Sequence, residues 1–321
     1  MPVEYERFLI GPVAMNQIDA DAAASGIDSY RMMQNAGAAL AALALRLYPE
    51  ALRFAVLCGP GNNGGDGYVA ASALQAAGAF VEVFGLSPDS ARGDAARALA
   101  GWGRDQAGLA DYRCRPGDVV IDAIFGAGLS RDVPPEVSRI VAEVAQGAVP
   151  VIAADIPSGL DGETGEVRGS AFAARHCLTF MARKPGHLLL PGRELCGTVH
   201  VFDIGIPRRI VSARAGNLWE NSPAMFAPGL AAPTAGSHKY ARGHVAVFSG
   251  GAASSGAARL SAMAALKSGA GAVTLAAPAD AMAVNATHLT AVMLREADSR
   301  TIRTMLGDHR VSAFVVGPGF G

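Results

Sequence analysis

One run of nine residues constrains this chain most: Gly59-Pro60-Gly61-Asn62-Asn63-Gly64-Gly65-Asp66-Gly67. It follows an apolar stretch at 54–57 that reads as a buried strand, and it precedes an alanine-rich helix at 68–77 that stops at Gly78. Residues 58–67 then form a glycine-rich loop between strand and helix. The alternation continues, with strands at 81–84, 119–122, 151–154, 178–180 and 198–202 and helices at 89–100 and 134–146. The last of these opens on Pro134-Pro135, which a first helical turn tolerates. Ahead of the glycine run, residues 15–47 read as two helices punctuated by Asp19, Gly26 and Asn35-Ala36-Gly37. Strand alternating with helix predicts an α/β fold: a parallel, doubly wound sheet with helices on both faces.

Ligands bind at the carboxyl ends of strands in such sheets, and three polar loops sit at those ends. The first is the glycine run. It contains GxGxxG from Gly59 to Gly64, yet Pro60 removes one N–H and the next strand has no acid at its carboxyl end, Glu82 lying inside it. That argues against an ordinary NAD dehydrogenase. The glycines still permit close approach to a phosphate at the following helix amino terminus. The second loop starts at Asp122 and continues through Gly126, Ala127, Gly128, Leu129, Ser130, Arg131 and Asp132. The third is Asp155-Ile156-Pro157-Ser158-Gly159. Asn63, Asp122 and Ser158 offer only oxygen ligands with a single carboxylate, which suits a monovalent cation; a turn or helix cap is an equal reading for Asp122. Asp155 closes an apolar strand, where partial desolvation is expected to raise its pKa and fit it for acid/base work. His176, His187 and His200 lack metal-ligand spacing and read as structural, Lys184-Pro185-Gly186 as a surface turn, and Met32-Met33 as core.

Composition excludes several classes. A net charge of −1 gives no electrostatic case for nucleic acid or anionic membranes. No apolar run is long enough to span a bilayer, and the amino terminus lacks the basic start and apolar core of a signal peptide. Cys58, Cys114, Cys177 and Cys196 form no CxxC pair, so reduced thiols in a cytoplasmic protein are expected. At 321 residues the length favours two units. The expected division is 1–210 for the first domain, a Pro-, Ala- and Gly-rich linker at 211–236, and a second unit at 237–321. The second unit reads as strand 244–248, helix 255–267, and strands 272–276 and 313–316. Three strands and one or two helices are too few to cover both sheet faces, so it is expected to be an incomplete domain.

The three loops, with the Met15, Asp19, Gly26 and Asn35-Ala36-Gly37 opening, resemble the NAD(P)H-hydrate epimerase family over residues 13–207, and Asn62 through Gly67 is a highly specific motif of it. Ser237-His238-Lys239, Arg242-Gly243, Gly269-Ala270-Gly271 and Gly317-Pro318-Gly319 resemble the start of the ADP-dependent NAD(P)H-hydrate dehydratase family. The resemblance implies a Rossmann-like three-layer α/β/α domain, then an incomplete ribokinase-like α/β domain. It implies an isomerase that interconverts the R and S epimers of hydrated NADH or NADPH in nicotinamide nucleotide repair, fused to part of an ADP-using lyase. A non-catalytic nucleotide-binding module is the alternative.

Residue by residue, Asn62, Asn63, Gly64, Gly65 and Asp66 would contact the hydrated nucleotide, as would Gly126 through Asp132. Asp155 would face the damaged ring as the catalytic acid/base. Asn63, Asp122 and Ser158 would hold potassium. Ala257 and Gly319 would be substrate contacts of the dehydratase part, whose catalytic aspartate and later nucleotide-binding segments would lie beyond Gly321. One departure matters: some relatives carry a lysine in the second loop where this chain has Ser130-Arg131, and an arginine does not shuttle protons. A small-molecule substrate is implied, with no nucleic-acid or membrane partner, and a homo-oligomer stays open.

Overall fold

The computed structural model describes residues 8–230, 234 and 236–317. The chain divides into two units, Met1–Ser222 and Pro223–Gly321. The first unit opens with α1 (Pro12–Ala24) and α2 (Ser29–Leu47), then runs β1 (Arg53–Cys58), α3 (Asn62–Ala76), β2 (Val81–Gly85), α4 (Gly93–Trp102) and β3 (Ala107–Gly108). It continues through β4 (Asp118–Ala123), α5 (Pro135–Gln146), β5 (Val151–Ala154), β6 (His176–Phe180), the single turn α6 (Gly192–Leu195), β7 (Thr198–Phe202) and α7 (Arg208–Arg214). The seven strands pair in parallel in the order β3-β2-β1-β4-β5-β6-β7. The chain leaves β1 toward β2 and β3 and returns on its other side as β4. The order therefore reverses beside β1, where the carboxyl ends of β1 and β4 leave a crevice.

Strand alternation builds two cores. Phe54, Val56 and Cys58 face α1 to α4 together with Leu40, Ala44, Leu74 and Ile121. Ala55 and Leu57 face the opposite layer, with Val137 and Ile140 of α5, Tyr112 and Phe172. The period of two assigns neighbouring residues of one strand to opposite layers. At the amino end of β1, buried Arg53 reaches Asp118 of β4 and Glu82 of β2, tying three strands together. Local sequence starts and stops the helices: Asp28 caps α2 by accepting from Tyr30 N at 3.0 Å, and Gly103 ends α4 at φ 62°.

Three expectations need correction. The glycine run is a loop only as far as Gly61; Asn62 through Gly67 are the first turns of α3. These glycines serve close packing inside a helix, not loop conformation. A Cβ on Gly64 would lie 1.8 Å from the Gly59 carbonyl oxygen, and one on Gly67 would lie 2.7 Å from Ala123 Cβ. The first unit also extends past residue 210. Val211 is in its core, Arg214 pairs with Asp21 at 2.7 Å, Leu9 N donates to Leu218 O at 3.0 Å, and Arg183 pairs with Glu220 at 2.7 Å. A polar, proline-bearing stretch hid these long-range partners.

The second unit has more than three strands. It runs α8 (Pro223–Phe226), β8 (His244–Phe248), α9 (Gly256–Lys267), β9 (Ala272–Ala277), α10 (Met282–Ala286), β10 (Met293–Glu296), α11 (Ser299–Leu306) and β11 (Val311–Val315). Its parallel sheet has the order β10-β9-β8-β11. Strand β10, half-polar and largely exposed, carries no apolar pattern to reveal it. Each face carries a helix: Val247, Val273 and Leu275 pack with Ala258 and Ala262 of α9, while Ala246, Phe248 and Ala276 pack with Met305 of α11; the edge strands β10 and β11 stay largely exposed.

The close approach of α3 makes a direct prediction. Gly64→Ala forces backbone apart and should destabilise the protein by about 1–3 kcal/mol or more. Gly61→Ala meets nothing within 4 Å and should stay within about 0.5 kcal/mol. Thermal unfolding compares the two, and equal melting temperatures would contradict the packing role.

Candidate active site

A cavity of about 630 Å³ opens at the reversal beside β1. Helices α1 and α2 each give it one stripe. Pro12, Met15, Asn16 and Asp19 come from α1, and Ser29, Met32, Met33 and Ala36 from α2, both at the i, i+3, i+4, i+7 spacing of a single helical face. The turn after β1 adds Pro60 and Gly61, and α3 adds Asn62, Asn63 and Asp66. The segment after β4 adds Ile124 through Arg131, and Asp155, Phe180, Lys184 and Ile204 complete the wall.

Most of the expected site residues converge here. Asn62, Asn63, Asp66, Gly126, Ala127, Gly128, Leu129, Ser130, Arg131 and Asp155 all line the cavity. Gly64 and Gly65 do not; they are buried within α3. Asp132 also stands off the wall, exposed, 3.4 Å from where Gly169 would carry a Cβ. In the second unit Ala257 is exposed in the first turn of α9, and Gly319 lies outside the described residues.

Asp155 has φ 65°, a left-handed conformation that aspartate tolerates better than most residues and that gathers at functional sites. Its backbone stays in the sheet, its N–H donating to Leu178 O at 2.7 Å, while the carboxylate turns toward the cavity. Oδ1 accepts from Lys184 Nζ at 2.5 Å and from Thr179 Oγ1 at 2.8 Å, and Oδ2 accepts from Ala127 N at 3.1 Å. Lys184 is only 2% exposed and also donates to Thr179 Oγ1 at 2.8 Å. His187 Nε2 donates to Asp155 O at 2.9 Å, and its Nδ1 accepts from Lys184 N at 2.9 Å, which fixes the neutral tautomer. Burial, then the charge of Lys184, pushes the imidazole down to about 4.

This network overturns two readings. Lys184 is no surface turn but a buried cation facing the site; a lysine next to Pro-Gly gave no sign of the carboxylate that β5 delivers to it. Nor is the pKa of Asp155 raised. Burial acts upward, but the charge and hydrogen bond of Lys184, with His187 and Thr179, outweigh it and hold the carboxyl below the usual carboxylate range. Asp155 is therefore ionised, a base rather than an acid.

The other carboxyls behave oppositely. Asp66 is pushed well above the usual range by burial and by the charges of Asp155 and Asp19. Asp19 is pushed up to about 6 by burial, with Lys184 opposing and Asp155 adding to the rise. From sequence Asp66 is expected only as a substrate contact and Asp19 only as a helix position, neither as a proton carrier; each is a single acid in a helix until packing surrounds it.

Behind the wall, Asp122 is fully buried and pushed up to about 6 by that burial. Ser158 donates to it twice, from Oγ at 2.5 Å and from N at 2.7 Å, and Ser158 Oγ accepts from Phe125 N at 2.8 Å. Asn63 stands at the cavity side of the same segment: a Cβ on Gly126 would lie 3.5 Å from Asn63 Oδ1 and 3.4 Å from Asp155 Oδ2. His176 and His200 contact each other at 3.3 Å across β6 and β7, off the wall.

Against known proteins, residues 29–186 match the family model of the YjeF-related protein N-terminus, and residues 245–321 match that of NAD(P)H-hydrate dehydratase. An NAD(P)H-hydrate epimerase of Achromobacter xylosoxidans is 43% identical over 188 residues, 55% of this chain and 86% of that protein. The chain belongs to the NAD(P)H-hydrate epimerase family. Bifunctional NAD(P)H-hydrate repair enzymes are also similar: that of Thermofilum pendens is 37% identical over 66% of this chain, and that of Escherichia coli 31% identical over 92%. The chain spans 43% and 58% of the length of those two proteins. The crystal structure of yeast ynu0 shares the fold, with a TM-score of 0.54 at 20% identity over 67% of this chain and 96% of that one.

The buried pair yields a pH-dependent prediction. Lys184→Met leaves the Asp155 charge uncompensated, a cost of about 3–5 kcal/mol at neutral pH. Without the lysine, burial raises the Asp155 pKa, so acidification neutralises it and the deficit should shrink. Melting temperatures at pH 7 and pH 5 measure this; an equal loss at both would sink the assignment.

Proposed function

We propose that the first unit epimerises the C6 hydroxyl of hydrated NADH or NADPH, as part of nicotinamide nucleotide repair. The observation that carries this reading is the cavity at the strand-order reversal, which presents an ionised carboxylate, Asp155, beside carboxyls favoured in their neutral form. Epimerisation proceeds by loss and return of the hydroxyl or by reversible ring opening, and either route needs proton transfer at the hydroxyl oxygen. Environments that drive neighbouring carboxyls in opposite directions mark acid/base sites. Asn62 and Asn63 at the start of α3, and Gly126 through Arg131, are the groups available to position the dinucleotide. The Arg131 guanidinium can pair with phosphate.

Potassium fits the donor set behind the wall. Asp122 is a buried carboxylate whose hydrogen-bond partners, Ser158 and Ile124, bring no positive charge, and a monovalent cation would hold it ionised. Asn63, Asp122 and Ser158 would hold the ion, and it would supply positive potential near the bound phosphates. The residues from Pro223 onward are proposed to belong to an ADP-dependent NAD(P)H-hydrate dehydratase, and a cytoplasmic location is proposed for the whole protein.

Two measurements test these assignments. Asp155→Asn should slow interconversion of the purified epimers by about 10²–10⁴-fold, followed by NMR or chromatography. Nucleotide binding by the wild-type protein without any exchange would favour a binding module instead. Potassium, against sodium at equal ionic strength, should raise the melting temperature, since a hundredfold excess over Kd stabilises by about 2.7 kcal/mol. Asp122→Asn should abolish that rise, and an unchanged response would remove Asp122 from the cation site.

A further inference from the structure

We propose that Asp19 of α1 is the general acid that works opposite Asp155, filling the role for which the second loop, with Ser130-Arg131, offers no lysine. The inference rests on the epimerase reading above. Its basis is geometric. Asp19 lies on the α1 face that lines the cavity, in register with Pro12, Met15 and Asn16. Its Oδ1 is buried and meets no hydrogen-bond partner among the described residues, and the same holds for Asn63 Nδ2 on the wall of the same cavity. A buried polar atom without a partner is costly, and two such atoms on one wall point to a ligand that supplies the missing bonds.

The surroundings agree. The charges that bear on Asp19 come from Lys184 and Asp155, and the charge of Asp19 in turn bears on Asp66. From the packed helix α7, Arg214 is engaged by Asp21. Asp19, near 6, titrates close to working pH, where a proton is most readily given and retaken, whereas burial pushes Asp66 well above the usual carboxylate range.

An ionised base and a neutral acid present together suit ring opening, because both are restored when the ring recloses. Asp155 takes the proton of the C6 hydroxyl, whose oxygen–hydrogen electron pair forms the second bond of an aldehyde. The C6–N1 bond breaks, its pair moves to the ring nitrogen, and Asp19 gives its proton to that nitrogen. After the aldehyde turns over, N1 attacks C6 from the other face. Its proton returns to Asp19, and the Asp155 proton passes to the oxygen.

The decisive experiment compares wild type, Asp19→Asn and Asp19→Glu in epimer exchange across pH 5–9. In the wild type kcat/KM should fall as pH rises through about 6, because Asp19 then loses its proton. Asp19→Asn should lose about 10²-fold or more in kcat with little change in KM, should lose that alkaline fall, and should melt no lower than wild type. Asp19→Glu should recover part of the rate. Wild-type rates in Asp19→Asn, or an alkaline fall that persists in it, would overturn the proposal. So would incorporation of oxygen from ¹⁸O-water at every turnover, which ring opening does not require. Should Asp19→Asn not fold, absence of the alkaline fall from the wild type overturns the proposal by itself. A wild type that binds nucleotide but never exchanges epimers would end the epimerase reading and this proposal together, which separates the two failures.

Discussion

The pairing of Asp155 with Lys184 sets the electrostatics of the whole crevice. Residues 154 and 178 are partners in parallel strands, so the segments that follow β5 and β6 emerge at the same end of the sheet. One delivers a carboxylate, the other an ammonium 2.5 Å away and almost fully buried. Neither charge is tolerable there alone, since an isolated buried ion costs several kcal/mol. Together they keep Asp155 ionised, and their fields reach Asp19 and Asp66. Burial raises the pKa of Asp19 and Asp66 while Lys184 lowers that of Asp155, so carboxyl groups of the same intrinsic acidity are driven in opposite directions.

That arrangement depends on how tightly the layers approach. Helix α3 reaches β1 and β4 only because Gly64 and Gly67 leave room for the Gly59 carbonyl and the Ala123 methyl. The same approach carries Asn62, Asn63 and Asp66 to the cavity. At the far end of the sheet the Arg53 cluster joins β1, β2 and β4, so the strands are held at their amino ends while their carboxyl ends border the cavity. Asp122 and Ser158 bind each other just behind the wall and connect the segments after β4 and β5. The loops are thus braced against one another as well as by the sheet.

Much of this was legible in the amino-acid order. Periodicities of two and 3.6 gave six of the seven strands of the first unit and its five longest helices, most of them to within a few residues at their ends, but not β3, α6 or α7. Turn residues at strand ends gave the three segments that meet at the cavity, because side-chain pattern and backbone preference are local properties. The start of α3 was misread for the same reason: a glycine-rich string has loop propensity, and only contacts with β1 and β4 make it helical. Strand β10 and the reach of α7 into the first unit left no local signal.

What the sequence by itself determined is the α/β alternation, the parallel sheet and the polar loops at its carboxyl edge, each fixed by residues close together along the chain. What only the tertiary structure decided is the charge state of the site. The direction of the Asp155 pKa, the burial of Lys184 and the neutrality favoured at Asp19 and Asp66 arise between residues as far apart as α1 and the segment after β6. Burial and Coulomb interaction depend on distance in space and on exclusion of water, and neither is written in any one stretch of sequence.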